Sequence, residues 1–292
     1  MVSVIVLTYN HEKYIKQALD SILEQKVDFK YEILIGDDAS TDSTSDIVRE
    51  YAANYPDVVC AYVREKNIGA TNNLYDLLCR AQGNYIACCE GDDFWTDPSK
   101  LQVQIEWLEI YPEYIGCCHI CSVVNEKGQE ITKPKWICEK DVFRFEDFGA
   151  ITLPGHPSTW IYRNIYLDPI HDYSIICRAH STIADRTIAM ILLAQGDFAL
   201  IHQNMSCYRS IQKVDGTNAT SQLFVNQDCS KFVEYQLTLT LEHYAREELK
   251  VKANFSAFRC TLFFKAFAKL IIKPCKSRWQ CVKDIVHAAI SK

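Results

Sequence analysis

The chain opens on an unbroken apolar run, Val2 to Thr8, which reads as a strand buried on both faces. Ile15, Ala18, Leu19, Ile22 and Leu23 follow at helical spacing and predict one apolar stripe on a first helix. The pattern then alternates: a strand over 32–37, a helix near 43–54, a strand over 58–63, a helix over 72–81 and a strand over 84–89. Gly83 is expected to cap the helix before it. Asp97-Pro98 reads as an N-cap and first-turn proline opening a helix that Pro112 ends. Such alternation predicts a mostly parallel sheet with right-handed crossovers.

The second half is less regular. Strands are expected over 115–124, 158–163 and 198–202, with a turn at Asn125-Glu126-Lys127-Gly128 and a loop-rich stretch over 132–157. Ala184 to Leu193 reads as helix, and helical patterning returns from about Asn226. Phe255, Phe258, Leu262, Ala266 and Leu270 form one stripe of an amphipathic helix over 255–272, while Lys265, Lys269 and Lys273 recur every four residues on another.

A length of 292 residues allows one large domain, or one domain with an appendage. A hydrophobic content of 48% and a charged content of 23% are those of an ordinary folded protein. The net charge of −6 hides an asymmetry: residues 246–292 carry eleven basic and three acidic side chains, so an acidic body precedes a basic tail. An acidic body makes nucleic acid an unexpected partner. The 14 cysteines sit largely inside apolar runs, where they act as small hydrophobes. With no leader ahead of Val2 and no stretch of about 18 apolar residues, a reducing, cytoplasmic setting is expected.

The candidate chemistry lies at strand ends. Glu90-Gly91-Asp92-Asp93 follows the run Tyr85 to Cys89, and three carboxylates in four residues repel one another unless a cation joins them. Mg²⁺ and Mn²⁺ favour oxygen ligands and bridge to phosphates. Asp37-Asp38 ends the strand over 32–37, and in an open α/β sheet ligands sit beyond the carboxyl ends of the strands. Both acidic tips therefore point to an enzyme acting on a nucleotide diphosphate. Cys117-Cys118-His119-Ile120-Cys121 lacks the second ligand pair that structural zinc requires.

Four ordered motifs carry a family resemblance: Val4-Ile5-Val6-Leu7-Thr8-Tyr9-Asn10, Asp37-Asp38-Ala39-Ser40-Thr41-Asp42, Glu90-Gly91-Asp92-Asp93-Phe94-Trp95, and the run from Asp185 through Gly196 to Tyr208-Arg209. Together they resemble glycosyltransferase family 2, the inverting sugar transferases of GT-A fold. The resemblance implies an α/β, Rossmann-like, mostly parallel central sheet flanked by helices. It assigns 1–217 to the catalytic domain, with a nucleotide half over 1–112 and an acceptor half over 113–217, and leaves 218–292 as a helical extension.

The resemblance also implies roles. Thr8, Tyr9, Asn10, Asp38 and Asn67 would line the nucleotide, together with Glu90 and Gly91, and Asp92 would hold Mn²⁺ or Mg²⁺. Asp185 would be the catalytic base. Arg209 and Lys213, on a segment closing over the diphosphate, would meet the phosphates. Asp93, Trp95 and His156 would serve the acceptor side or brace it. Plainer readings coexist: Asp37 and Asp42 capping the next helix, Asp185 as an N-cap, a Gly turn at Gly69. The chain departs from the family where Glu90 replaces Asp, Ala184 replaces an acid, Arg186 replaces an aromatic residue, and Ser210 and Ile211 supply no His.

The expected activity is metal-dependent transfer of a hexosyl group from a nucleotide-diphosphate-sugar, UDP-linked by preference, to a hydroxyl of a glycan or lipid-linked glycan in surface polysaccharide synthesis. The basic helix would allow peripheral contact at the inner face of the cell membrane. A non-catalytic nucleotide-sugar-binding scaffold is the alternative. A nucleotidyltransferase fits less well, because Thr8-Tyr9-Asn10-His11-Glu12 is not a Gly-rich, basic triphosphate loop.

Overall fold

A computed structural model describes residues 1–150, 152–211 and 230–290. The described residues divide into two compact units, one formed by 1–145 and 152–211, the other by 146–150 and 230–290.

The first unit is built on a nine-stranded sheet. Its parallel half consists of β1 (Val2–Thr8), β2 (Tyr31–Asp37), β3 (Val59–Val63) and β4 (Tyr85–Cys88), in the order β3-β2-β1-β4. Helices α1 (Ile15–Leu23), α2 (Thr44–Asn54) and α3 (Ala70–Arg80) make the crossovers. The stripe predicted for α1 is its inner face: Ile15, Ala18, Leu19 and Ile22 are buried. After β4 come β5 (Phe94–Trp95), α4 (Lys100–Ile110), β6 (Tyr114–Val124), β7 (Ile137–Cys138), β8 (Val142–Phe143), β9 (Leu153–Pro154), β10 (Ile161–Arg163), α5 (Ile175–Arg178), α6 (Asp185–Leu193) and β11 (Asp197–Arg209). The other half of the sheet is mixed: β10 runs antiparallel to β4 and β6, β6 and β11 are parallel, and β5 is antiparallel to β11.

The differences from the sequence reading have local causes. The strand expected over 198–202 runs on to Arg209, because β11 pairs with β6 along its length and absorbs the exposed His202-Gln203-Asn204 stretch through register shifts. Those three polar residues mask the continuation. The strand expected over 158–163 begins instead as a 3-10 turn at Pro157–Thr159, since Pro157 sits at its first turn and His156 caps it. The loop-rich stretch 132–157 contains the two-residue strands β7, β8 and β9. Asp97 accepts the Ser99 amide at 2.8 Å, so the fourth helix starts at Lys100, two residues later than Asp97-Pro98 suggested.

Gly83 is not a helix cap. Its amide donates to Ser3 Oγ at 2.8 Å, and a Cβ there would lie 2.5 Å from the Ser3 backbone nitrogen. The glycine lets the chain cross the start of β1 at close range. Cys89, Cys117, Cys118 and Cys121 are buried, as expected of cysteines in apolar runs, whereas Cys60 and Cys260, in runs of the same kind, are exposed because they sit on outer faces of their elements.

Lys100 is fully buried in this core, with Nζ donating to Gln104 Oε1 at 2.8 Å and lying 4.2 Å from the Trp95 ring centroid. Burial pushes its pKa down to about 8.

In the second unit, α7 (Ser230–Glu247), α8 (Ser256–Ile272) and α9 (Lys276–Ile290) pack together. Tyr235, Leu262, Ala266, Cys281, Val282 and Ile285 form their core, with Phe258 and Leu270 packed against it. The predicted stripe of the helix over 255–272 therefore faces the interior of this bundle.

Gly83→Ala forces backbone atoms apart and is expected to destabilise the fold by about 1–3 kcal/mol, read by urea unfolding. Lys100 has a folded pKa below its unfolded value, so the native state sheds a proton that the unfolded chain keeps between about pH 8 and 10.5. Wild-type stability thus gains from rising pH across that window. Lys100→Met cannot share the gain, so its stability relative to wild type should fall by roughly 2–3 kcal/mol between pH 7 and pH 10. A constant difference would show that Lys100 titrates normally.

Candidate active site

Three strand ends meet at one edge of the parallel half. Thr8 is the register partner of Asp37, the Asp38 amide donates to the Thr8 carbonyl at 3.0 Å, and the Gly91 amide donates to the Leu7 carbonyl at 2.8 Å. The loop after β1, the Asp37-Asp38 pair and the acidic turn after β4 are thereby adjacent, as the sequence placed them.

The two aspartates at the end of β2 divide the work. Asp37 is fully buried; it accepts from the Ser40 hydroxyl and, at 2.5 Å, from Ser45 Oγ, which shapes the turn into α2. Asp42 accepts the Thr44 amide at 3.0 Å and the Glu12 amide at 3.2 Å, while Glu12 accepts the Ser43 amide at 3.1 Å. Asp42 thus takes the first amide of α2, whereas Asp37 bonds the hydroxyls of Ser40 and Ser45 and does not cap the helix, whose N-cap is Ser43. Asn10 takes a left-handed φ of +57° and its Oδ1 accepts the Thr41 amide at 2.8 Å, so the β1 and β2 loops are laced together. Asp38 accepts the Ile68 amide at 2.7 Å and the Gly69 amide at 3.0 Å. Each carboxylate oxygen keeps a second lone pair for a ligand. That clamp draws the exposed Asn67 to the same edge, and Gly69 supplies the φ of +88° at the start of α3. Thr71 Oγ1 then donates to the Ser181 carbonyl at 3.1 Å, tying this turn to the segment that leads into α6.

The acidic turn is tight: the Asp93 amide donates to the Glu90 carbonyl at 3.0 Å. A Cβ on Gly91 would stand 2.8 Å from Thr8 Oγ1 and 2.9 Å from His11 Nδ1, so only glycine lets the turn rest on the β1 loop. Glu90 is exposed on its solvent side, yet the protein around it and then the charges of Asp92 and Asp185 push its pKa upward, to about 8. Asp93 is raised well above the usual carboxylate range by burial first and then by Asp92 and Glu90.

Arg209 braces this turn. It is buried at the end of β11; its amide donates to Asp93 Oδ1 at 2.8 Å, its Nε to the Asp92 carbonyl at 3.0 Å and its Nη2 to Gln17 at 2.9 Å. The sequence expectation put Tyr208-Arg209 on a closing segment; pairing with β6 puts both residues in a strand instead. Lys213, the other expected phosphate contact, lies outside the described residues.

Asp185 is the first residue of α6 and accepts the Arg186 amide at 2.8 Å. Its charge is among those that raise Glu90, so the two share one electrostatic environment although 95 positions separate them. Arg186 acts on His180, whose pKa it helps to lower after burial. His156 is buried, accepts the Ser158 amide at 3.2 Å, stacks on Tyr208 at 4.0 Å and sits 3.7 Å from Asp93 Oδ2. Burial pushes its pKa down to about 3, so it is a neutral imidazole. Trp95 is buried in the core beneath the turn, a supporting position, and Tyr9 is half-buried.

Sequence reasoning passed over His11, whose Nε2 lies 3.9 Å from Asp92 Oδ2. Its only signal was its place in the Thr8 to Glu12 loop. The carboxylates suit a hard divalent cation. Among the described residues no three His, Cys, Asp or Glu side chains converge into a ready cage.

The family description "Glycosyl transferase family 2" matches residues 3–167, more than half of the chain. Among curated proteins, an uncharacterized protein of Mycobacterium tuberculosis is 46% identical over 126 residues, 43% of this chain and 36% of that protein. Chondroitin synthase of Escherichia coli is 39% identical over 106 residues, 36% of this chain and 15% of that one. The matched stretch is thus well under half the length of either relative. Residues 1–349 of S. aureus TarS superpose with a TM-score of 0.67 at 17% identity, covering 97% of this chain and 79% of that one, a likeness of fold. The β1 loop, the Asp37-Asp38 pair and the acidic turn all lie inside the matched stretch, and the chain belongs to glycosyl transferase family 2.

Proposed function

We propose that the protein is a metal-dependent, inverting glycosyltransferase that moves a hexosyl group from a UDP-sugar to a hydroxyl of a surface-polysaccharide acceptor. The observation that carries this reading is the meeting of the β1 loop, the Asp38 clamp and the Glu90-Gly91-Asp92-Asp93 turn at the carboxyl ends of parallel strands, with the charge of Asp185 reaching Glu90. TarS is held with UDP-GlcNAc, which supports a UDP-linked donor, and another relative is named a chondroitin synthase, which supports a polysaccharide product.

In this reading Asp38, Thr8, Tyr9, Asn10 and Asn67 hold the nucleotide, and Asp38 uses its remaining lone pairs for the base. Asp92 holds the cation, with Glu90 and Gly91 beside it. A cation held by Asp92, Mn²⁺ or Mg²⁺, would supply charge neutralisation for the departing diphosphate. Asp185 takes the proton of the acceptor hydroxyl as that oxygen forms its bond to the anomeric carbon from the face opposite the diphosphate. The bond between the anomeric carbon and the phosphate oxygen breaks, and configuration inverts. His156, uncharged, orients the acceptor by hydrogen bonding, while Asp93 and Trp95 brace the turn. Arg209 holds the acidic turn in register for the diphosphate, and Lys213 is assigned to the phosphates.

The test is nucleotide release from UDP-, GDP- and dTDP-sugars with Mn²⁺ or Mg²⁺, for wild type, Asp92→Asn and Asp185→Asn. One donor should be hydrolysed slowly, with activity lost to chelator and in Asp92→Asn. Asp185→Asn should lower turnover by roughly 10²–10⁴-fold while leaving donor affinity nearly unchanged. Donor binding with no turnover and no effect of Asp185→Asn would favour a binding module. No binding of any donor would defeat the nucleotide-sugar reading.

A further inference from the structure

The helix α8 of the second unit is apolar on two sides. One side packs into the bundle through Leu262 and Ala266. The other carries Cys260, Phe264, Phe267 and Ile271, spaced i, i+4, i+7 and i+11, which places them along one line of the helix. All four are exposed, Phe264 at 66%, Phe267 at 42% and Ile271 at 65%. Scattered exposed apolar residues are ordinary, but a continuous stripe of this kind marks an interaction surface.

The charge around the stripe identifies its partner. Between Glu248 and Asp284 the sequence holds nine Lys or Arg and no Asp or Glu. Arg259 is paired with Glu242 at 2.8 Å, and Arg278 donates to the Lys273 carbonyl at 2.8 Å, closing the end of α8. Lys265, Lys273, Lys276 and Lys283 are exposed. Where the stripe ends, Ile272 is 82% exposed; Lys273 and Lys276 follow, and Trp279, 51% exposed, has Lys283 Nζ 5.5 Å from its ring centroid. An apolar stripe with exposed lysines and a tryptophan just beyond its C-terminal end suits the boundary between lipid headgroups and acyl chains.

We propose that this face of the terminal unit docks on an anionic lipid bilayer. The apolar stripe enters the headgroup boundary, Trp279 anchors at the interface, and the lysines meet the lipid phosphates. A second copy of the same face would set lysine against lysine, so charge disfavours self-association. Among the described residues no helix is long and apolar enough to cross a membrane, so the helix lies on the bilayer. The side involved is not the stripe from Phe255 to Leu270 that the sequence brought forward, because that stripe faces the bundle core.

Co-sedimentation of the full chain with phosphatidylcholine vesicles, with or without phosphatidylglycerol, tests the docking. The protein should partition onto phosphatidylglycerol vesicles and not onto phosphatidylcholine alone. Phe264→Ser with Phe267→Ser, and separately Lys273→Glu with Lys276→Glu, should each lower that partitioning by roughly tenfold or more, with thermal midpoints unchanged. Absence of binding to phosphatidylglycerol vesicles, or equal binding to neutral ones, would overturn the proposal. So would a dimer in solution that the phenylalanine variant dissociates while vesicle binding is absent. Vesicle binding is read without donor or acceptor, so its failure leaves the sugar-transfer reading untouched.

Discussion

Arg209 is the group on which the acidic turn depends. Three carboxylates within four residues repel, and at the end of a buried strand the repulsion is poorly screened. One buried guanidinium binds the Asp92 carbonyl and Gln17 while its own backbone amide binds Asp93, so β11, α1 and the turn close on one another. The guanidinium also lies 4.6 Å from the Tyr14 ring centroid and 5.4 Å from that of Phe94, which encloses the charge in aromatic faces. Glu90 remains pushed up to about 8, so the site still has room for positive charge, the property a diphosphate-bound cation would use.

The two halves of the sheet contribute different chemistry. The parallel half brings three loops to one edge with short connections, and those loops are bonded to each other by side chains: Asn10 to Thr41, Glu12 to Ser43, Asp38 to Ile68 and Gly69. Loops bonded together this way are largely pre-organised for the nucleotide-sugar we propose they bind. The mixed half brings groups from far along the chain. The 3-10 turn at Pro157–Thr159 delivers His156, β11 delivers Tyr208 and Arg209, and α6 delivers Asp185. His156 and Tyr208 stack beside Asp93, so an uncharged imidazole backed by an aromatic ring stands against that carboxyl.

The terminal unit shows how a single helix can serve two surfaces. The i, i+4 spacing of Leu262 and Ala266 satisfies the bundle, while Phe264, Phe267 and Ile271 repeat on the far side. Aromatic residues on both sides of a helix are costly in water unless each side meets an apolar partner.

Much of this protein is legible in its sequence. Local periodicity determined β1 to β4 and the first helices, because a strand buried on both faces must be apolar throughout and a crossover helix must carry one apolar stripe. Motif order along those strand ends determined the Thr8, Asp38 and Asp92 neighbourhood, since parallel strands put consecutive loops at one edge. Tertiary structure alone decided the rest. The length of β11 depends on pairing with β6, a partner some 80 positions away, and its polar stretch at His202-Gln203-Asn204 carries no strand signal. Gly83 and Gly91 are required by a backbone or a side chain crossing at close range, which no local pattern encodes. Which stripe of α8 is buried was settled by what packs against it, because two apolar faces on one helix are equivalent until a partner covers one of them.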